Sequence, residues 1–309
     1  MSEFILRAMR PDEHQAVADI VYASIRTWYA GIGKTGRFPG GPTTCLLYPQ
    51  VYEAMDPGCC VVAQDPDNGR LAASCFYHPR PTHVGLGILN AHPDFFGRGV
   101  ARLVLQYVCD VADQQRKPVR LVSSAMNLDS FSLYTRAGFT AQAVFHDMTM
   151  KVPEGGLSLD CPGLSRVRAA TPGDAGAMEE LEWDVAHIRR PQDWDFLLAN
   201  RQGIWHTVVL DRPGGGLDGF LCSIQHSASN MLGPGAMRNQ EAAAALILAQ
   251  LNRFGGRSPV WLVPAVCGQL IGQLYTWRAR NCEIHLFQVR GTAQPFNGVV
   301  MPTFMPETG

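Results

Sequence analysis

Residues 84–115 constrain the fold more than any other part of the sequence. An apolar run at 84–89 leads into a turn at His92-Pro93-Asp94, and a small-residue loop then precedes a helix-forming segment at 100–115. A strand, a glycine loop and a helix in this order present backbone N–H groups and the positive end of a helix to a phosphate. The residues of the loop that carry little or no side chain are Gly97, Gly99 and Ala101. The segment therefore predicts an anion site in an α/β domain.

A second segment, residues 127–139, strengthens this interpretation. It begins with Asn127, a favoured helix cap, and ends with Ala137-Gly138-Phe139, which stops a helix. Together the two segments resemble the GNAT superfamily of acyl-CoA-dependent N-acyltransferases. The family's loop, Gln/Arg-x-x-Gly-x-Gly/Ala, is represented by Phe96-Gly97-Arg98-Gly99-Val100-Ala101. Its later pattern, Asn-x-x-Ala-x-x-Leu-Tyr-x-x-x-Gly-Phe, is present with only the alanine replaced, by Ser130.

The resemblance implies a site for acetyl-CoA as the acyl donor. The loop amides and the helix dipole would hold the pyrophosphate, with Arg98 and Arg102 as further phosphate contacts or, alternatively, a solvated helix face. Phe96 replaces the family's Gln or Arg and cannot bond a phosphate, so weaker binding is expected. The remaining residues implied to contact the donor are Leu89, Asn90 and Ala91 for the pantetheine arm, with Asn127 and Ser130; Asn127 could equally be a plain helix cap.

The resemblance also assigns the acid but leaves the base open. Tyr134 occupies the family's general-acid position, where it would protonate the departing thiolate; the alternative is packing in the core. Many members carry a Glu four residues before the position of Ala91, where this sequence has Gly87. Because this strand has no carboxylate, the candidates for the base are His83, His92 or a bound water.

The acceptor side is expected within residues 24–56. The candidate substrate-binding residues are Trp28, Tyr29, Arg37 and Phe38, with Tyr48 and Tyr52 as further aromatic surface and the Gly/Pro-rich loop 31–44 as a lid. A cleft rich in aromatic residues and poor in acidic ones argues against a polycationic acceptor. We therefore expect a small-molecule amine.

The chain reads as two halves with a shared plan. Residues 1–152 and 165–309 flank a linker at 153–164 that is rich in Pro, Gly and Ser, and each half starts with a short strand, a Pro/Asp turn and an amphipathic helix. Leu-Tyr-Thr also recurs late in both halves. We predict an α/β (α+β layered) fold with two GNAT-like domains in tandem, each a mixed central sheet flanked by helices.

The second half departs from the family pattern at the loop. Residues 233–238, Gly-Pro-Gly-Ala-Met-Arg, are predicted to form the equivalent loop, in which Pro234 removes an N–H donor. Gly268 replaces the capping Asn, and Tyr275 is expected to pack rather than to act in catalysis. The second half is therefore predicted to be degenerate and structural, although binding of acyl-CoA there is not excluded.

Composition narrows the function classes. The 309 residues have a net charge of −1 and no basic block, which argues against nucleic acid, and no apolar run is long enough for a membrane helix. The amino-terminal residues do not resemble a signal peptide, so a cytoplasmic location is expected. Nine cysteines without Cys-x-x-Cys predict reduced thiols and no structural metal. A monomer or homodimer is expected.

Three hypotheses follow. The first is an acetyl-CoA-dependent N-acetyltransferase that uses direct amine attack. The second is a non-catalytic acyl-CoA-binding module, and the third is another acyl-CoA reaction such as decarboxylation or O-acylation. The sequence leaves open the acceptor, the acyl length and the general base.

Overall fold

The protein is described from a computed structural model, which covers residues 3–34 and 38–303. The first half contains strands β1 (Ile5–Ala8), β2 (Cys60–Gln64), β3 (Leu71–Pro79), β4 (Val84–Ala91), β5 (Val119–Ser124) and β6 (Thr140–Thr149), with helices α1 (His14–Gly31), α2 (Leu47–Met55), α3 (Val100–Gln114) and α4 (Leu128–Arg136). The second half contains strands β7 (Val167–Ala169), β8 (Trp205–Asp211), β9 (Leu217–His226), β10 (Ser229–Met237), β11 (Val260–Pro264), β12 (Arg280–Arg290) and β13 (Val299–Met301), with helices α5 (Ala175–Ala186), α6 (Pro191–Ala199), α7 (Gln240–Leu251) and α8 (Gly268–Thr276).

The strands of both halves form one mixed sheet with helices on both faces. Its order is β1-β2-β3-β4-β5-β12-β6-β11-β10-β9-β8-β7, with β13 paired to β10. The expected α/β class and the tandem arrangement of two related units are confirmed. The order within each half follows the chain until the last strand of that half.

The two halves exchange their last long strands. β12 of the second half lies antiparallel to β5 of the first, and β6 of the first half lies antiparallel to β11 of the second. β6 and β12 also pair with each other from Arg280↔Thr149 to Val289↔Thr140. Because each half completes the sheet of the other, neither β5 nor β11 leaves an unpaired edge at the junction.

The hydrophobic core is shared on one face and divided on the other. The shared core takes residues from α1, α2, α5 and α6 and includes Phe145 of β6 and Phe287 of β12. On the opposite face, α3 and α4 cover the first half and α7 and α8 cover the second. α3 buries Val100, Val104 and Val108 at helical spacing, as expected for an amphipathic helix on a sheet.

A buried ionic network joins the halves beside the shared core. Arg80 at the end of β3 bonds Asp56 at 2.8 Å and lies 2.5 Å from Asp193 of α6. Arg190 bonds Glu182 of α5 at 2.6 Å. Because these side chains are almost fully enclosed, removal of one partner would leave an uncompensated charge. The end of β3 therefore packs between the two halves.

Candidate functional site

β4 and β5 run parallel only at their beginnings and then separate. Their ladder consists of Val84↔Val119 and Gly85↔Arg120. On its other side β4 remains paired with β3, where a bulge places Gly87 and Ile88 opposite Phe76. Backbone groups of residues 86–91 therefore face an opening into which an extended ligand can insert by strand-like pairing.

The loop between β4 and α3 presents unpaired amides at the mouth of this opening. Gly97 and Gly99 have φ of 76° and 77°, in the left-handed region that favours glycine. The first helical bond of α3 runs from the Leu103 amide to the Gly99 carbonyl. Five amides of this stretch donate to no backbone carbonyl of the described chain. They are those of Gly97, Gly99, Val100, Ala101 and Arg102. These amides and the helix dipole form an anion-binding geometry.

The two loop arginines are placed differently. Arg98 bonds the buried Asp65 at 3.2 Å, and its guanidinium lies 4.6 Å from the Phe4 ring and 5.1 Å from the Phe95 ring. Arg98 therefore stabilises the loop through its contacts with Asp65 and the two rings. Arg102 is exposed in the first turn of α3 and remains the better candidate for a phosphate contact. The Phe96 side chain is 54% exposed and contributes no polar group to the loop.

α4 positions the residues of the second motif. The Asn127 side chain accepts the Ser130 amide at 3.1 Å, so it caps the helix as a plain N-cap does. Tyr134 lies two turns further on and is 7% exposed, with its ring 5.8 Å from that of Phe139. Across the opening, Asn90 is buried on β4, and its Nδ2 has no partner within the described chain.

His83 is enclosed at the beginning of β4. It is 0% exposed, and its Nδ1 lies 3.0 Å from the Thr82 hydroxyl. Burial, with Arg120, Arg190 and Arg80 nearby, holds the pKa of His83 well below its usual range. A strand rises roughly 3.3 Å per residue, so the eight residues after His83, up to Ala91 at the end of β4, span about 26 Å. These surroundings oppose an imidazolium, and His83 is wrongly placed for the base.

His92 lies at the other end of β4, beside the loop. Its Nδ1 accepts the Asp94 amide at 3.2 Å. A neutral ring that accepts through Nδ1 carries its proton on Nε2, which leaves no free lone pair for the acceptor's proton. The space beside Gly87 is also filled, because a Cβ there would lie 2.9 Å from His78 Nε2. Among the three predicted candidates for the base, these contacts favour a bound water.

The predicted acceptor residues are only partly together. Trp28 and Tyr29 lie near the end of α1 with ring centroids 4.6 Å apart. Phe38 is 6% exposed and packs against Tyr48, and Tyr48 and Tyr52 are buried as well, so these three belong to the core and not to a binding surface. Arg37 lies outside the described residues. Glu283 of β12 was not among the predicted residues, because only the strand exchange brings it to Ser124 and Tyr29.

The matching opening of the second half is filled. β10 and β11 pair at Met231↔Val260 and Leu232↔Trp261, and β13 then pairs with β10 from Gly235↔Met301 to Met237↔Val299. The prediction of a loop at residues 233–238 is wrong, because β10 continues through Met237 and only Arg238 and Asn239 precede α7. The second half thus has neither the loop amides nor the space that the first half offers.

The described part of the chain offers no metal cluster, and a cavity lies away from the β4–β5 opening. Among the described residues, no group of three or more His, Cys, Asp and Glu is arranged to hold a metal ion. No described helix is long and apolar enough to cross a membrane. A cavity of about 440 Å³ lies among residues that include Thr149, Lys151, Trp277 and Arg280, and none of the predicted acyl-CoA residues lines it.

Comparison with known proteins agrees with the geometry. Residues 26–139, which make up most of the first half, match the model of the acetyltransferase (GNAT) family. A curated relative, UPF0157 protein YqkA of Bacillus subtilis, is 35% identical over 72 residues, which span 23% of this chain and 21% of that protein. The match thus spans about a fifth of the relative's length.

Solved structures show the same fold over nearly the whole chain. A putative acetyltransferase from Pyrococcus horikoshii has a TM-score of 0.72 at 12% identity, covering 97% of this chain and 92% of its own. A GCN5-related N-acetyltransferase from Sphaerobacter thermophilus has a TM-score of 0.64 at 18% identity, covering 95% and 97%. A tandem GNAT protein from the clavulanic acid biosynthesis pathway has a TM-score of 0.60 at 13% identity, covering 94% and 100%. At these identities the likeness concerns the fold alone.

Proposed function

We propose that the protein is an acetyl-CoA-dependent N-acetyltransferase whose first half binds the donor and whose acceptor is a small-molecule amine. The observation that carries the proposal is the contrast between two related openings in one chain. The opening between β4 and β5 has unpaired amides at its mouth, whereas β13 fills the one between β10 and β11. Apart from acetyl-CoA as the co-substrate, the proposed reaction would use no metal and no other cofactor.

The chemistry assigned to the site follows from the placement of its groups. The loop amides would hold the pyrophosphate, and the free backbone of residues 89–91 would pair with the pantetheine arm and polarise the thioester carbonyl as charge develops on it. The amine nitrogen forms the new C–N bond as the C–S bond breaks. Tyr134 would donate a proton to the departing thiolate, while the amine nitrogen would release one to bound water, and a proton from water would then restore the Tyr134 hydroxyl.

A charge placed at the start of α3 tests donor binding. Ala101 is the second residue of α3, where Asp would favour the helix but repel a diphosphate. We expect Ala101→Asp to weaken acetyl-CoA binding by about tenfold or more in calorimetry. Gly176→Asp is the matched control, because Gly176 is the second residue of α5 and a Cβ there meets nothing within 4 Å. Equal affinity in both variants would contradict this location.

Turnover distinguishes the proposal from a non-catalytic acyl-CoA-binding module. That second function is favoured by Phe96 in the loop and by the absence of a carboxylate on β4. Release of free thiol from acetyl-CoA is followed with a panel of amines. Acetyl-CoA binding without thiol release for any amine would favour the binding module, and consumption of malonyl-CoA or acetylation of an alcohol would indicate another acyl-CoA reaction.

A further inference from the structure

The strand exchange brings a carboxylate of the second half to the first half's site. Glu283 lies near the start of β12, and its Oε1 accepts the hydroxyl of Ser124 at the end of β5. The Ser124 oxygen also accepts the Met126 amide at 3.2 Å, and its carbonyl accepts the Asn127 amide at 3.2 Å. Glu283 is therefore linked directly to the segment that leads from the β4–β5 opening into α4.

This carboxylate lies on the face of the sheet that α1 covers. Alternation along β12 puts Glu283 on the same face as Phe287, which packs in the core shared by the halves. The Tyr29 hydroxyl, near the end of α1, lies 3.5 Å from Glu283 Oε2. Asn90, whose Nδ2 has no partner among the described residues, is on this face too, because Leu89 and Ala91 pack on the other. These groups flank the acceptor side of the opening.

An ammonium group of the chain already rests on this carboxylate. Lys34 Nζ lies 3.8 Å from Glu283 Oε2, 3.5 Å from the Cys282 carbonyl oxygen and 5.8 Å from the centre of the Tyr29 ring. A carboxylate, a carbonyl and an aromatic face are the groups that bind an alkylammonium. All three contacts are longer than optimal, and the Lys34 side chain is 42% exposed, so another ammonium could replace it.

A second carboxyl group lies behind Glu283. Asp147 of β6 is opposite Glu283 in the ladder and is 2% exposed. Its carboxylate pairs with His285 Nδ1 at 2.8 Å. Burial raises the pKa of Asp147, although His285 acts to lower it. Glu283 and Asp147 thus place two carboxyl groups beside each other, whereas β4 itself carries none.

We infer that Glu283, with Tyr29 and the Cys282 carbonyl, holds the ammonium group of the acceptor, so that the second half completes the acceptor site of the first. This inference rests on the proposed acyltransferase function. Lys34 is then a competitor that the acceptor displaces. The site selects cationic amines over neutral molecules of the same shape, and the nearby Trp28 and Tyr29 favour an aromatic or alkyl group beside the nitrogen.

Two substitutions with opposite expected effects test the inference in the full chain. The probes are 2-phenylethylamine and spermidine, with neutral 2-phenylethanol for comparison, and their binding to the acetyl-CoA-loaded and unloaded protein is measured by ligand-observed NMR. Glu283→Gln is expected to weaken amine binding at least tenfold, whereas Lys34→Met is expected to tighten it severalfold. Glu241→Gln, at an exposed acidic residue of α7, is the matched control and should leave the affinity for both amines unchanged.

The outcomes separate this inference from the proposed function. Equal amine affinity in wild type and Glu283→Gln, weaker binding in Lys34→Met, or no amine binding by wild type would each overturn the role of Glu283. Calorimetry with acetyl-CoA judges the proposed function independently, because Glu283→Gln should leave that affinity unchanged. If Glu283→Gln does not fold, the amine affinity of Lys34→Met still tests the inference, because this substitution alters an exposed side chain.

Discussion

The pH dependence of stability tests directly whether the buried His83 ring stays neutral in the folded protein. The ring is fully buried among Arg80, Arg120 and Arg190, and burial together with these cations holds its pKa well below the ordinary value of 6.5. The unfolded chain therefore takes up a proton near pH 6.5, whereas the folded protein does not until a much lower pH. Stability from this group is present above pH 6.5 and is lost as the pH falls.

The magnitude follows from linkage. With an unfolded pKa near 6.5 and a folded ring that stays neutral, lowering the pH from 7.5 to 5.5 costs about 1.4 kcal/mol of unfolding free energy from this one residue. Urea unfolding at pH 7.5, 6.5 and 5.5 measures it as the difference between wild type and His83→Asn. The variant, whose side chain does not titrate, should lack this contribution at every pH.

A second variant separates titration from packing. Thr82→Val removes the hydroxyl beside His83 Nδ1 and keeps the histidine. It should lower stability at all three pH values and retain the wild-type slope. If the gap between wild type and His83→Asn were the same at pH 7.5 and 5.5, His83 would be able to take a proton in the folded protein. His83 would then remain a candidate for the general base.

Three other predictions concern the donor site and the filled opening. Tyr134→Phe should lower kcat about a hundredfold or more while the acetyl-CoA Kd stays constant, and an unchanged kcat would remove the acid role. Calorimetry should give one acetyl-CoA per chain, because β13 occupies the second opening, and a stoichiometry of two would contradict this. Met301→Ala, at a fully buried side chain of β13, should cost about 2–5 kcal/mol in urea unfolding without changing the donor affinity.

The donor side could be predicted because its signals are local. The left-handed Gly97 and Gly99, the Asn127 cap and the spacing of apolar residues in α3 each depend on a few neighbouring residues. Turn chemistry and helical periodicity describe such segments directly. For this reason the loop lies where the sequence predicted it, between the end of β4 and the start of α3.

The long-range contacts could not be predicted in the same way. Phe38 and Tyr52 were expected at a cleft, yet aromatic residues in an irregular segment serve a core equally well. Gly233 and Gly235 were interpreted as loop residues, but they admit a neighbouring strand. A Cβ at Gly233 would lie 2.7 Å from the Pro302 carbonyl oxygen, and one at Gly235 would lie 2.7 Å from Leu221 Cδ1. Glycine in a strand often marks such close approach of another backbone.

The strand exchange gives the second half a structural role that does not depend on a donor site of its own. β12 covers the edge of β5, and Phe287 of β12 lies under the buried guanidinium of Arg120 at 4.7 Å. Without β12, β5 would present an open edge and Arg120 would lose its aromatic neighbour, so the first half does not form a closed unit by itself. The same strand carries Glu283 to Ser124. One strand thus both covers the edge of β5 and brings to the first half a carboxylate that β4 lacks.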